Sequence, residues 1–201
     1  MKQLIGLALL SGLVGAAPAM AAPITYSAAL SGAAESPANA SPGTGFVFVT
    51  IDAVAHTMAV DVSFQDLMGT TTAAHIHVIN GPGDANIADT NGPVATTTPS
   101  FTFFPLGVQS GTMIDTYDMT DAGSYRAGFV TDSGNVAMAE AALFAAIADG
   151  RAYFNIHSSI FGAGEIRGFL QPVPEPASIV LLAMGGGLLA RARRRGRSAR
   201  R

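Results

Sequence analysis

The sequence contains no cysteine, which excludes disulfides and every thiolate-based metal or redox site. The absence carries no argument against export. Positive charge is scarce where a folded domain would sit. Lys2 stands at the start and seven arginines crowd residues 191–201. Only Arg126, Arg151 and Arg167 stand between them. The formal net charge of -3 therefore hides an acidic middle that carries all 14 acids. Such a surface repels phosphate and excludes nucleic acid as a partner. A G-x-S-x-G motif is also missing, and Ser158 and Ser159 follow His157 directly on an extended segment, where neighbours point apart. Serine-hydrolase chemistry is thereby set aside.

What is present at the two ends reads as addressing. Met1-Lys2-Gln3, the apolar run 4–14 and Ala19-Met20-Ala21 follow the order of a secretory signal peptide over residues 1–21. Signal peptidase is expected to cut between Ala21 and Ala22; the alternative is a buried N-terminal helix. At the other end Pro174-Glu175-Pro176 breaks regular structure. The apolar run 177–190 and the arginine cluster 191–201 follow it. As a helix that run is about 21 Å long against a hydrocarbon core of about 30 Å, a marginal transmembrane helix. The arginines would hold the C-terminus on the cytoplasmic side of the inner membrane. Proline-glutamate-proline, short apolar helix and arginine tail, over residues 173–201, resemble the PEP-CTERM sorting signal of Gram-negative bacteria. That resemblance implies an exosortase-type membrane protease as a processing partner. It also implies transient inner-membrane anchoring, then transfer to the cell surface or beyond. The alternative is an uncleaved single-pass anchor.

Between the ends, short alternating apolar runs are separated by glycine, proline and asparagine, which predicts a mainly β domain over residues 22–172. The expected architecture is an antiparallel β-sandwich, Greek-key and immunoglobulin-like or superoxide-dismutase-like. Strands are expected at 24–30, 46–51, 56–64, 74–78, 101–104 and 108–119. The run 46–51 reads as covered on both faces, and 56–64 alternates cleanly with Met58, Val60, Val62 and Phe64 inward. One helix is expected at 136–149, capped by Asn135 and closed by Gly150. It leads into a hairpin of strands 151–157 and 165–171. Alternation puts Phe154, Ile156, Ile166 and Leu170 in the core, and Asn155, His157, Glu165 and Arg167 on a shared polar face.

His75 and His77 stand two apart, so one strand face presents both imidazoles, and His157 lies on a strand that is a candidate neighbour. Such a set suits copper or zinc. The competing reading is a hydrogen-bonded network with Asn155, Glu165 and Arg167 and no cofactor, and a redox role is the third. His56 is the remaining histidine for any larger site. The Asx-rich loop 83–92 does not have EF-hand spacing and reads as turns, with weak calcium binding as its alternative.

Leu30-Ser31-Gly32-Ala33-Ala34-Glu35-Ser36-Pro37, Ala74-His75-Ile76-His77, Asn155-Ile156-His157 and Gly164-Glu165-Ile166-Arg167-Gly168 occur in the order found in CHRD domains. The chain resembles that chordin-type family over about residues 24–171. The resemblance implies a secreted, non-enzymatic binding or interaction module. An envelope or matrix partner would meet its acidic, threonine- and serine-rich face. The rival expectation is a metal-dependent protein built on His75, His77 and His157.

Overall fold

The computed structural model describes residues 22–84 and 91–174. The predicted signal peptide, Glu175 and Pro176 of the tripeptide, the 177–190 helix, the arginine tail and most of the Asx-rich loop lie outside them. Among the described residues no helix is long and apolar enough to cross a membrane.

The strands are β1 (Ile24–Ser31), β2 (Thr44–Asp52), β3 (Thr57–Gln65), β4 (Thr71–Val78), β5 (Gly111–Asp118), β6 (Ala152–Ser158), β7 (Ile166–Phe169) and β8 (Gln171–Pro172). Two helices, α1 (Ala127–Ser133) and α2 (Val136–Ala148), precede β6. Every strand pairing is antiparallel. The expected two-sheet sandwich is not what forms. All eight strands belong to one curled sheet of order β4-β6-β7-β1-β2-β3-β5, with β8 beside β1. A single sheet can enclose its own core when it curls into a half-barrel, because one face then becomes concave. Two features let it bend. Gly168 lets β7 approach β1 so closely that a Cβ there would collide with the Ala29 carbonyl oxygen. β4 carries a register shift between Thr71 and Ala73, and bulges bend strands.

The concave face is lined by Met58, Val60, Val62 and Phe64 of β3 and by Phe154, Ile156, Ile166 and Leu170 of the closing hairpin, as the alternation predicts. On β2 the outcome differs. Val47, Val49 and Ile51 are buried, but Phe46 and Phe48 are 40% and 41% exposed. The strand alternates after all, and two phenylalanines on its solvent face hid the pattern. They touch each other edge-on at 4.9 Å.

The 101–104 segment is a turn rather than a strand, with Phe101 and Phe104 buried and Phe103 exposed at φ 64°. The whole 93–104 stretch covers the outer edge of β4. Val78 N–H donates to Pro93 O, Ala95 N–H to Ile76 O and Phe101 N–H to Ala74 O. Thr96 Oγ1 and Ser100 Oγ accept from Ile76 and Ala74 amides. A sheet edge needs such partners, and irregular chain supplies them here. Helix α2 forms where expected, with Asn135 Oδ1 accepting from Met138 N at 2.9 Å and Gly150 at φ 70° beyond its end. α1 has no counterpart among the expected elements. Its seven residues include Gly128 and two β-branched residues, a weak helix signal, and the burial of Phe129 holds it in place.

Candidate functional site

β4 and β6 are neighbours, with His77 opposite Tyr153, His75 opposite Asn155 and Ala73 opposite His157. Ala74, Ile76 and Val78 turn into the core, so His75 and His77 project from the other face, beside His157 from β6. The ring centroids lie 4.7 Å apart for His75–His77, 4.7 Å for His75–His157 and 5.9 Å for His77–His157.

Each Nδ1 is committed. His75 Nδ1 donates to Pro99 O at 3.2 Å, His77 Nδ1 to Gly92 O at 2.7 Å and His157 Nδ1 to Gly162 O at 3.0 Å. A carbonyl only accepts, so each Nδ1 carries the ring proton and each Nε2 presents a bare lone pair. All three Nε2 atoms are buried and, among the described residues, have no hydrogen-bond partner. One ligand atom from each ring lies within 4.8 Å of the others. The electrostatics fit neutral rings. Burial, then the neighbouring His157, takes His75 down to about 4. Burial, then His75, takes His77 to about 3, and burial also lowers His157.

A second layer supports the trio. The Tyr153 ring stacks on His77 at 4.7 Å and 4° between planes. On Tyr153 lies the Arg167 guanidinium, 4.8 Å from the ring centroid. Arg167 is buried, donating to Ala34 O at 2.6 Å and Asn91 Oδ1 at 2.8 Å, with Glu35 Oε2 at 3.7 Å. Burial raises the Glu35 carboxyl to about 7, against the pull of Arg167. Burial likewise pushes the Tyr153 phenol up to about 12.

Glu165 goes elsewhere. It precedes β7 and is fully buried. Its carboxylate accepts from Ser41 Oγ at 2.6 Å, from Gly69 N at 3.2 Å and from Met68 N. Burial works to raise its pKa, but hydrogen bonds from Ser158, Ser41, Met68 and Gly69 outweigh that and lower it. The expected polar face is thus divided: Arg167 joins the histidine side through Tyr153, whereas Glu165 ties loops together. Asn155 is buried opposite Arg167, with Oδ1 unpartnered among the described residues. His56 is removed from the trio and pairs with Glu140 of α2 at 2.9 Å. Sequence reasoning missed the roles of Glu35 and Tyr153. Tyr153 shares the alternation that faces it beside His157, but stacking depends on register across β4. The Glu35 contact depends on how the 32–39 turn folds back.

Comparison with known families matches residues 172–197 to the PEP-CTERM protein-sorting motif, which marks the chain for export and surface sorting in Gram-negative bacteria and implies exosortase-type processing. No curated protein and no solved structure matches the chain. Residues 26–170 match the CHRD domain, and the three histidines, the helix α2 and the closing hairpin all fall inside that span: the chain belongs to the CHRD domain family.

Proposed function

We propose that this protein is displayed at the cell surface as a non-enzymatic CHRD module that binds a transition-metal ion, copper or zinc, through Nε2 of His75, His77 and His157. The observation that carries this reading is the clustering of three buried ring nitrogens for which the described residues supply no donor. Unsatisfied buried acceptors are costly, and a cation is the partner that answers three at once. The Nδ1–carbonyl hydrogen bonds support it, since metal-bound histidines are oriented through the other ring nitrogen. Bonds of about 2.0–2.1 Å would draw the three nitrogens to roughly 3.4 Å apart. The rings already bring one ligand atom each within 4.8 Å of the others.

The test is metal content of the exported protein. About one ion per chain is expected, lost in the His75→Ala, His77→Ala variant. Adding copper or zinc at a hundredfold excess over Kd is expected to raise Tm by about 5–10 °C. A metal-free protein whose Tm does not respond to either ion sinks the reading.

In the same proposal the chain loses residues 1–21 to signal peptidase, is held briefly in the inner membrane by residues 177–190, and is released by cleavage at the Pro174-Glu175-Pro176 signal. Intact mass measurement of the surface protein is expected to lack both residues 1–21 and 191–201; finding the arginine tail would refute processing. Contact with an envelope or matrix component is assigned to the convex face, where Phe48, Asp61 and Ile114 lie side by side across β2, β3 and β5. Ile114 is 78% exposed there.

A further inference from the structure

The groups around the three histidines bear on which ion they take, an inference that rests on the metal-binding reading above. The donors are three neutral imidazoles. Among the described residues no carboxylate joins the cluster. Glu165 is occupied by Ser41, Met68 and Gly69, and Glu35 lies against Arg167, on which the Tyr153 ring stacks. The formal charge closest in this stack is positive. Arg167 sits 4.8 Å from the Tyr153 centroid, and Tyr153 sits 4.7 Å from the His77 centroid. The guanidinium is among the groups that disfavour positive charge on His77.

An entering cation meets two constraints. The first concerns charge. Desolvation cost scales with the square of the charge, so a dication loses about four times the hydration of a monocation of similar size. Many zinc sites recover that loss through thiolates or carboxylates, and three-histidine zinc sites complete their shell with a water; among the described residues this cluster has neither a thiolate nor a carboxylate. The second concerns coordination number. Zinc in structural sites is four-coordinate, and Cu(II) prefers a tetragonal set of nitrogen and oxygen donors. Among the described residues three ring nitrogens are the ligand atoms gathered here, and each Nε2 is buried, which leaves little room for a water as fourth ligand. The Tyr153 hydroxyl is engaged by Gly92 and Arg167 and so is not a spare fourth donor. A filled-shell monocation that is stable with three nitrogen ligands meets both conditions.

We propose that the His75–His77–His157 site is a trigonal three-imidazole site selective for Cu(I) over Zn(II) and Cu(II). The rings donate only lone pairs, and no electron or proton transfer is needed for binding. Tyr153 and Arg167 act through His77, the first by holding the ring in plane and the second by opposing divalent charge.

The test uses the mature exported protein, stripped of metal and kept anaerobic. Cu(I) is delivered from its coloured bicinchoninate complex, and Zn(II) and Cu(II) are titrated separately. One Cu(I) per chain is expected, bound at least about a hundredfold more tightly than either dication, equivalent to about 2.8 kcal/mol. His157→Gln is expected to weaken Cu(I) binding by a similar factor, with an unchanged far-ultraviolet spectrum showing that the fold is intact. The His75→Ala, His77→Ala variant should abolish transfer of copper from the competitor. Zinc or Cu(II) bound as tightly as Cu(I), and lost in the same variants, overturns the selectivity while leaving the metal site standing. Failure of all three ions to bind overturns both.

Discussion

Glu165→Ala is expected to destabilise the domain by about 3–5 kcal/mol, which for a domain of this size lowers Tm by about 10 °C or more. The carboxylate is fully buried and accepts from the hydroxyl of Ser41 and the amides of Met68 and Gly69. Those donors belong to the stretches before β2 and between β3 and β4, so one side chain pins two connections to the closing hairpin. Alanine leaves the donors without an acceptor and opens a polar hole that apolar packing cannot fill. Glu165→Gln keeps the volume and one acceptor but turns a donor toward amides that also donate, so a loss of about 2 kcal/mol is expected. Urea unfolding of the three proteins checks the order wild type, Gln, Ala. The pH dependence adds a second reading. A carboxylate with a depressed folded pKa stabilises above its unfolded pKa, and that contribution is lost as pH falls through the folded pKa. The Ala variant should therefore show a shallower acid limb than wild type. Equal midpoints for wild type and Ala would mean that the connections are held by other contacts.

The same residue shows how far the sequence could be read. Alternation along 151–157 and 165–171 places Phe154, Ile156, Ile166 and Leu170 in the core, and they are buried there. Alternation is a local rule, and it holds wherever a strand forms. It assigned Glu165 to the face of Arg167 because it assumed that the strand begins at 165. The strand begins at Ile166, and Glu165, at the end of the loop, answers to amides far away in sequence. His75, His77 and His157 follow the same logic with a better result. The i, i+2 spacing sets the first two on one face. The third joins them because β6 pairs with β4, a pairing that hairpin rules cannot supply, since a long stretch with two helices separates the strands. The single curled sheet was hidden for a related reason: strand runs reveal alternation but not whether two groups of strands share hydrogen bonds. β4 and β5 are the ends of one path, and only their remote partners decide that.

In the metal-free protein, protonation of the histidine trio is expected to cost stability as pH falls from about 6.5, against an opposite contribution from Glu35, whose carboxyl is raised to about 7 by burial. In the folded state burial lowers His75 to about 4 and His77 to about 3, whereas in the unfolded chain both titrate near 6.5. The direction comes from the proton count. Between those values the unfolded histidines bind more protons than the folded ones, so their contribution is full above about pH 6.5 and drains away toward pH 3–4. His75 alone would contribute about 3 kcal/mol over that span, since each tenfold change in proton affinity is worth about 1.4 kcal/mol. The cause is specific to the site. Protonating any one ring places a donor and a charge on a buried Nε2 that faces two more rings, and Arg167 already stands behind Tyr153. Urea unfolding with a chelator present, measured from pH 7.5 to pH 4, checks the slope against a His75→Gln, His77→Gln variant. The variant should be flatter over this range, because the amides do not titrate; parallel curves would assign the acid sensitivity to other groups. Bound metal competes for the same lone pairs. Loading the site should therefore shift the loss of stability to lower pH, and the size of that shift reports how tightly the three imidazoles hold their ion.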